Sequence, residues 1–318
     1  MTTNPVTVTS TPLVVWHFSD DKPGHDNQIR GLLRALAKRV ALQVHALHIP
    51  EPTVRRYLAT LANLLRRRCP YGRHLPDPDL IVGAGHTSHL PMLAARRARG
   101  GRVIVFMKPS LPLRCFDLCI VPEHDVVATH ANVLQTRGPI NAIEPAQNKL
   151  EYHGLILLGG PSKHHRWSDL AMREQIETLV RSDPTWHWTV AGSRRTPDSM
   201  EQTLQAACVP NLVYVAARDT GPEWLPFRLA EAPQVWVTED SMSMVYEALS
   251  ANAAVGVLPV PRRGFGRVSR ELERLQTEGR LTSYDDWSKG QALRLSGRPF
   301  NEAARCAEWI VEHWLRSA

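Results

Sequence analysis

Short apolar runs alternate with amphipathic stretches along the first half of the chain. Residues 13–18, 43–49, 80–83, 103–106 and 118–121 are the runs, and between them Ile29, Leu32, Leu33 and Leu36 recur at helical spacing, as do apolar positions within 54–65 and 90–99. Runs this short and this apolar suit strands covered on both faces, and their alternation with helices predicts a parallel, helix-covered sheet. Residues 138–154, with Pro139, Asn141, Pro145, Gln147 and Asn148, lose the periodicity and mark a linker. A second series follows, with strands expected at 155–158, 188–191, 212–215, 234–238 and 255–258 and helices at 170–180, at 200–207 and directly after 240. The pattern predicts an α/β protein of two Rossmann-like domains, 1–149 and 150–318, facing one another. A last helix carrying Ala303, Cys306, Ile310, Val311 and Trp314 has an apolar stripe that suits either domain.

Composition supports two cores: the chain has 318 residues, 43% of them hydrophobic. No apolar run approaches the length of a membrane span, and residues 1–11 lack the basic start and apolar stretch of a secretory signal, so a cytoplasmic protein is expected. Cys69, Cys115, Cys119, Cys208 and Cys306 are scattered without a CxxC pair, which argues for buried free thiols rather than disulfides or a zinc ribbon. The net charge is +7, and it is uneven: residues 1–150 hold 19 Lys and Arg against 10 Asp and Glu, the remainder 19 against 21. Within the basic half, residues 53–68 read as a helix with Val54, Tyr57, Leu58, Leu61, Leu64 and Leu65 apolar and Arg55, Arg56 and Arg66 to Arg68 around them. Such a helix either packs its apolar face on the sheet or lies peripherally on an anionic membrane surface. No nucleic-acid motif accompanies the charge.

Ligands of open parallel sheets gather beyond the carboxyl ends of the strands, so the residues there carry the functional signal. After the first strand come Ser19, Asp20, Asp21, Lys22, Pro23, Gly24, His25, Asp26, Asn27 and Gln28, a polar turn before a helix that Asp26 or Asn27 suits as cap. His25 is a general-base candidate that Asp21 or Asp26 would orient, or else a turn residue bonded to backbone. The loop has neither GxGxxG nor GxxxxGK[ST]. After the third strand, Gly83 and Gly85 permit close backbone approach, Thr87 or Ser88 suits a helix cap, and His86 and His89 share helical spacing without a third metal ligand. Glu123, His124 and Asp125 follow the fifth strand as further acids or bases, or as turn caps. In the second half, Gly159-Gly160-Pro161-Ser162-Lys163 and Ser193-Arg194-Arg195-Thr196-Pro197 each follow a buried strand, and paired arginines beside hydroxyls suit a diphosphate. The stretch 237–248 runs from a strand into a helix; Asp240 with Ser243 fits a cap, the exposed amides of a helix start suit an anion, and Ser243 and Glu247 lie four apart on one face.

Four of these segments together resemble the elongated-mitochondria, or mitochondrial fission, family: Asp21-Lys22-Pro23-Gly24-His25 with Gln28; Pro122-Glu123-His124-Asp125; Ser193-Arg194-Arg195-Thr196-Pro197; and Thr238-Glu239-Asp240-Ser241 with Met244, Glu247 and Ala248. The Asp20-Asp21 step departs from the family pattern, where a glycine often precedes the lysine. The resemblance implies a GT-B glycosyltransferase-like fold with an acceptor site in the first domain and a nucleotide-sugar site in the second. It places Gly160, Ser193, Arg194 and Arg195 on a diphosphate, Asp240, Ser241 and Ser243 on phosphate and sugar, and Glu247 on ribose; Lys22, Gly24, Gln28, Ser162, Thr238 and Glu239 are further candidate ligand-binding residues. It makes His25 the base candidate, with Asp21 and Glu123 as further acid–base residues, and implies an NDP-sugar substrate with no metal and no cofactor. Plant relatives are associated with recruiting a dynamin-like protein to mitochondria, so a non-catalytic interaction protein is the alternative reading. A nicotinamide-dependent epimerase is disfavoured, since the glycine fingerprint and a YxxxK pair are both missing.

Overall fold

The computed structural model describes residues 11–51, 53–123, 125, 129–264, 266–295, 297 and 300–315. The chain forms two compact units: one contains the residues up to Ala142 together with those from Glu302 onward, the other spans Ile143–Asn301. The division therefore differs from 1–149 and 150–318 in one main respect, the return of the last helix to the first unit.

The first unit is built on a six-stranded sheet in the order β2-β1-β3-β4-β5-β6, from β1 (Leu13–Ser19), β2 (Leu42–His48), β3 (Leu80–Ala84), β4 (Arg102–Phe106), β5 (Leu118–Pro122) and β6 (Val133–Thr136). Every pairing is parallel. β3 and β5 are buried at every residue because helices cover both faces, which is why their sequences are continuously apolar. The helices are α1 (Pro23–Ala37), α2 (Val54–Leu65) and α3 (His86–Arg99). Ile29, Leu32 and Leu36 of α1 pack with Val15, Val82 and Ile104 of the sheet, and Ala303, Cys306 and Ile310 of the C-terminal helix join the same core. At Gly31 an added Cβ would lie 2.2 Å from the Asn141 carbonyl oxygen, so only glycine lets α1 approach that irregular segment.

The second unit repeats the plan with the order β12-β11-β10-β7-β8-β9. Its elements are β7 (His153–Leu158), α4 (Asp169–Ser182), β8 (His187–Gly192), α5 (Ser199–Gln205), β9 (Leu212–Val215), α6 (Trp224–Glu231), β10 (Gln234–Thr238), α7 (Met242–Ser250), β11 (Ala254–Leu258), α8 (Arg267–Thr277), β12 (Thr282–Ser283) and α9 (Tyr284–Ser288); α10 (Glu302–Ile310) then belongs to the first unit. Cores on both sides of the sheet are anchored by Val235, Tyr246 and Leu249 on one face and by Trp188, Met200 and Trp236 on the other.

Several local expectations are corrected. α1 starts at Pro23, with Lys22 at its N-cap, so Asp26 ends the first turn, Asn27 follows it, and neither is the N-cap. α3 starts at His86 after Gly85, and neither Thr87 nor Ser88 is its cap. α7 is capped by Ser241 rather than Asp240, and without a side-chain bond. All five cysteines are free, but only Cys119 and Cys306 are buried. His86 and His89, three apart in α3, differ in environment: His86 is exposed, whereas His89 is buried against the Phe116 ring with Nδ1 3.2 Å from Ser110 Oγ. Among the described residues no helix is long and apolar enough to cross a membrane.

Two outcomes follow from this packing. Gly31→Ala gains about 1 kcal/mol of helix propensity but forces a backbone clash, so we expect net destabilisation of about 1–3 kcal/mol by denaturant titration; a stabilised variant contradicts the packing described. Burial, aided by His86, lowers the His89 pKa from 6.5 to about 4. The unfolded chain takes up that proton near 6.5 and the folded chain does so only near 4, so stability falls as pH drops through that window. Calorimetry of His89→Gln should show a smaller loss of melting temperature between those pH values than the parent chain; an unchanged slope would assign the acid sensitivity elsewhere.

Candidate functional site

In a doubly wound sheet the connections leave one strand to one side and arrive at its other neighbour from elsewhere, which opens a crevice beyond the carboxyl ends of those two strands. The strand orders put this switch point between β1 and β3 in the first unit and between β7 and β10 in the second. Polar clusters occupy both.

In the second unit three loops interlock around Asp240, whose side chain is fully buried. Its Oδ2 accepts from the Gly160 amide at 3.0 Å and lies 2.7 Å from Arg195 Nη1, which also donates to the Gly160 carbonyl at 3.0 Å. Thr238, at the end of β10, accepts from the Gly159 amide at 2.7 Å. Ser193 Oγ donates to the Gly159 carbonyl at 2.8 Å, and Thr196 Oγ1 donates to that oxygen at 2.5 Å. Both glycines are sterically required, since a Cβ at 159 would meet Asp240 and one at 160 would meet the Arg195 carbonyl, each at 2.1 Å.

This frame leaves specific donors available. Among the described residues Arg195 uses only Nη1 of its guanidinium, and Arg194 is exposed with no carboxylate partner. The first-turn amides of α7 have no intrahelical acceptors, and Ser243 is exposed beside them, with Glu247 buried one turn further on. Other expected residues are bonded within the frame. Glu239 is buried, accepts from the Val260 amide at 3.1 Å and grips Arg262, whose Nε lies 3.0 and 3.1 Å from its two oxygens. Ser162 Oγ accepts from the amides of His164 and His165 at 3.2 and 3.1 Å and so closes a turn. Buried His165 sits near Glu239 and Asp240, and burial keeps its pKa below the ordinary value despite those acids. Neither Arg262 nor His165 was singled out from the sequence; the position of Arg262 shortly after β11 was the available signal.

In the first unit the cluster centres on Asp20. Its Oδ1 lies 2.8 Å from His25 Nδ1, and its Oδ2 accepts from Lys22 Nζ and Thr87 Oγ1, each at 3.0 Å. Burial opposes ionisation of Asp20, but the bonds from Lys22, His25 and Thr87 outweigh it and hold the carboxyl below the usual range. A carboxylate accepting Nδ1–H leaves the His25 lone pair on Nε2, which has no protein partner among the described residues. Gly85, at φ +77°, makes room for the ring: a Cβ there would lie 2.5 Å from His25 Cε1. The carboxylate beside His25 is thus Asp20, and not Asp21 or Asp26. Asp21 is exposed and pairs with His48 at 2.9 Å, while Asp26 accepts from Ser19 Oγ at 3.0 Å. Gly24 lies in open space on the first turn of α1, and Gln28 is half-buried one turn on. Glu123 follows β5, three strand positions from β1 and therefore about 14 Å from this cluster. His124 lies outside the described residues.

Beside Thr87 a pocket of about 340 Å³ opens between α2, α3 and the end of β2. Ile49, Tyr57, Tyr71 and Leu90 give it apolar walls, and Arg56, Asn63, His86 and Thr87 supply polar groups.

Comparison with known proteins agrees with this architecture. A Listeria monocytogenes protein provisionally assigned as a UDP-N-acetylglucosamine 2-epimerase superposes with a TM-score of 0.60 at 12% identity, covering 97% of this chain and 98% of its own. The glycotransferase of kitacinnamycin superposes with a TM-score of 0.52 at 15% identity, covering 95% and 99%. At these identities the likeness shows the fold, which is GT-B-like: two Rossmann-like α/β units. In sequence, an uncharacterised protein of Rickettsia prowazekii is 23% identical over 353 residues, covering 93% of this chain and 97% of its own. The pattern of the family described as mitochondrial fission ELM1 matches residues 23–314, and the chain belongs to that family.

Proposed function

We propose that this protein transfers a sugar from a nucleoside-diphosphate sugar to an acceptor hydroxyl. The observation that carries the reading is the interlocked β7–β10 switch point. There the Asp240–Arg195 pair holds the Gly159-Gly160 loop closed, while Arg194, the spare donors of Arg195 and the α7 amides remain for an anion. A diphosphate fits such a set of donors because guanidinium and amide N–H groups stabilise the charge that grows on it as the bond to the sugar breaks. The UDP-sugar named for the Listeria neighbour supports the same donor class.

In the first unit, His25 is the base and Asp20 its orienting carboxylate. Nε2 takes the proton of the acceptor hydroxyl while that oxygen bonds to the anomeric carbon and the diphosphate departs with the electron pair of the broken C–O bond. The pocket beside Thr87 is the acceptor subsite in this reading, and the excess of Lys and Arg in residues 1–150 suits an acceptor presented at an anionic membrane surface. No metal or cofactor is invoked for these steps.

A thermal-shift series with UDP-, GDP-, ADP- and CMP-sugars tests the donor site. One nucleotide class should raise the melting temperature. Arg194→Ala should weaken that ligand about tenfold at an unchanged unliganded melting temperature, whereas Arg195→Ala should lower both because it strands the buried Asp240 carboxylate. Stabilisation by none of the nucleotides contradicts the reading. With a donor identified, His25→Ala should cut turnover by about 10²–10⁴ and leave donor affinity intact. Full transfer activity in that variant removes His25 as the base, and nucleotide binding without any turnover in the parent chain favours the non-catalytic interaction protein.

A further inference from the structure

α2 is inverted relative to an ordinary surface helix. Val54, Leu58, Leu61 and Leu65 fall at i, i+4, i+7 and i+11, the spacing of a core-facing stripe. They are nevertheless 79%, 58%, 37% and 67% exposed, and no residue of α2 is buried. Away from the stripe, Arg56 donates to the Glu51 carbonyl at 2.8 Å, and the pocket shared with α3 is lined from α2 by Arg56, Tyr57, Ala59, Thr60 and Asn63, mostly polar or small residues. The helix is well made, with Thr53 capping the Arg56 amide at 3.2 Å, so the exposed stripe belongs to a fixed element. Exposed arginines border it, Arg55 at one end and Arg66, Arg67 and Arg68 at the other.

We infer that α2 is a membrane-docking helix, which lays its Val54–Leu58–Leu61–Leu65 line into the surface of a bilayer rich in anionic phospholipid. Leaving a stripe of this kind in water is unfavourable by the ordinary cost of exposed aliphatic surface, and a covering partner removes it. Charge selects the partner. Arginines at both ends of the stripe sit at headgroup level when the helix lies flat, and the surrounding half of the chain has nearly twice as many basic as acidic residues. A second copy docking through the same face would bring like-charged arginine clusters together, which disfavours it. The stripe is a single helical line about 18 Å long with no groove, a shape that a bilayer accepts without side-chain complementarity. The inference does not rest on nucleotide-sugar chemistry in the second unit.

Vesicle flotation of the full-length protein tests it. With phosphatidylcholine vesicles containing about one third phosphatidylglycerol the protein should float, more weakly as ionic strength rises, and with pure phosphatidylcholine it should largely remain behind. Leu58→Ser/Leu65→Ser should reduce binding to the anionic vesicles by about tenfold or more, and Arg55→Glu should also reduce it. Since these side chains are exposed, the melting temperature and the nucleotide-induced shift should stay as in the parent chain. Failure of the parent chain to float with anionic vesicles overturns the inference, as does undiminished binding of the double variant. A solution dimer that the double variant abolishes, without vesicle binding, would overturn it in favour of self-association.

Discussion

Two buried carboxylates, one at each switch point, organise the segments beyond the strand ends within their own units. A carboxylate removed from water is tolerated only when donors surround it, so it draws loops from neighbouring strands toward itself. Asp240 does this with the amide after β7 and the guanidinium after β8, and Asp20 does it with Lys22 before α1, His25 in its first turn and Thr87 in the first turn of α3. The parallel sheets supply the crevices, and the carboxylates decide which groups face them. Gly85, Gly159 and Gly160 are consequences of the same constraint, since each stands where a side chain would displace the partner of a buried acid or the acid itself.

The chemistry differs because the partners differ. Around Asp240 the partners are permanently cationic or backbone donors, a combination that favours an anionic ligand nearby. Around Asp20 one partner is an imidazole, held with Nδ1 2.8 Å from Oδ1 and Nε2 turned away from the carboxylate. One structural device thus arranges a guanidinium and amides in one unit and an imidazole in the other, the two groups on which the proposed function draws. The fold alone would not have distinguished them, because many chemistries share it.

Much of this architecture was legible in the sequence. Continuous apolar runs such as those of β3, β5 and β11 announce strands buried on both faces, and the loops after β1, β7, β8 and β10 stood out by polarity. Short or punctuated elements were harder to read. β6 has four residues at a sheet edge with one of them buried, and α6 carries Pro226 in its first turn, where a proline is tolerated but reads as a breaker. Partner choice was the least legible. The sequence suggested Asp21 or Asp26 as the partner of His25, whereas the folded chain puts Asp20 there, bonded also by Lys22 and by Thr87 from the neighbouring strand's end. Arg195 looked like a ligand donor in the sequence, and its contact with Asp240, 45 residues later, makes it also a brace. The orientation of α2 was likewise open, because an apolar stripe has the same spacing whether it faces the sheet or solvent.

Hydrogen–deuterium exchange of the full-length protein, with and without the nucleoside diphosphate of the stabilising sugar, tests the central claim most directly. If the β7–β10 switch point is the anion site, the ligand slows exchange at the Gly160 loop, the Arg194–Arg195 loop and the first turn of α7, and leaves the β4–β6 side of the first unit unchanged. Protection confined to other segments, with these three loops exchanging at their unliganded rates, would contradict it.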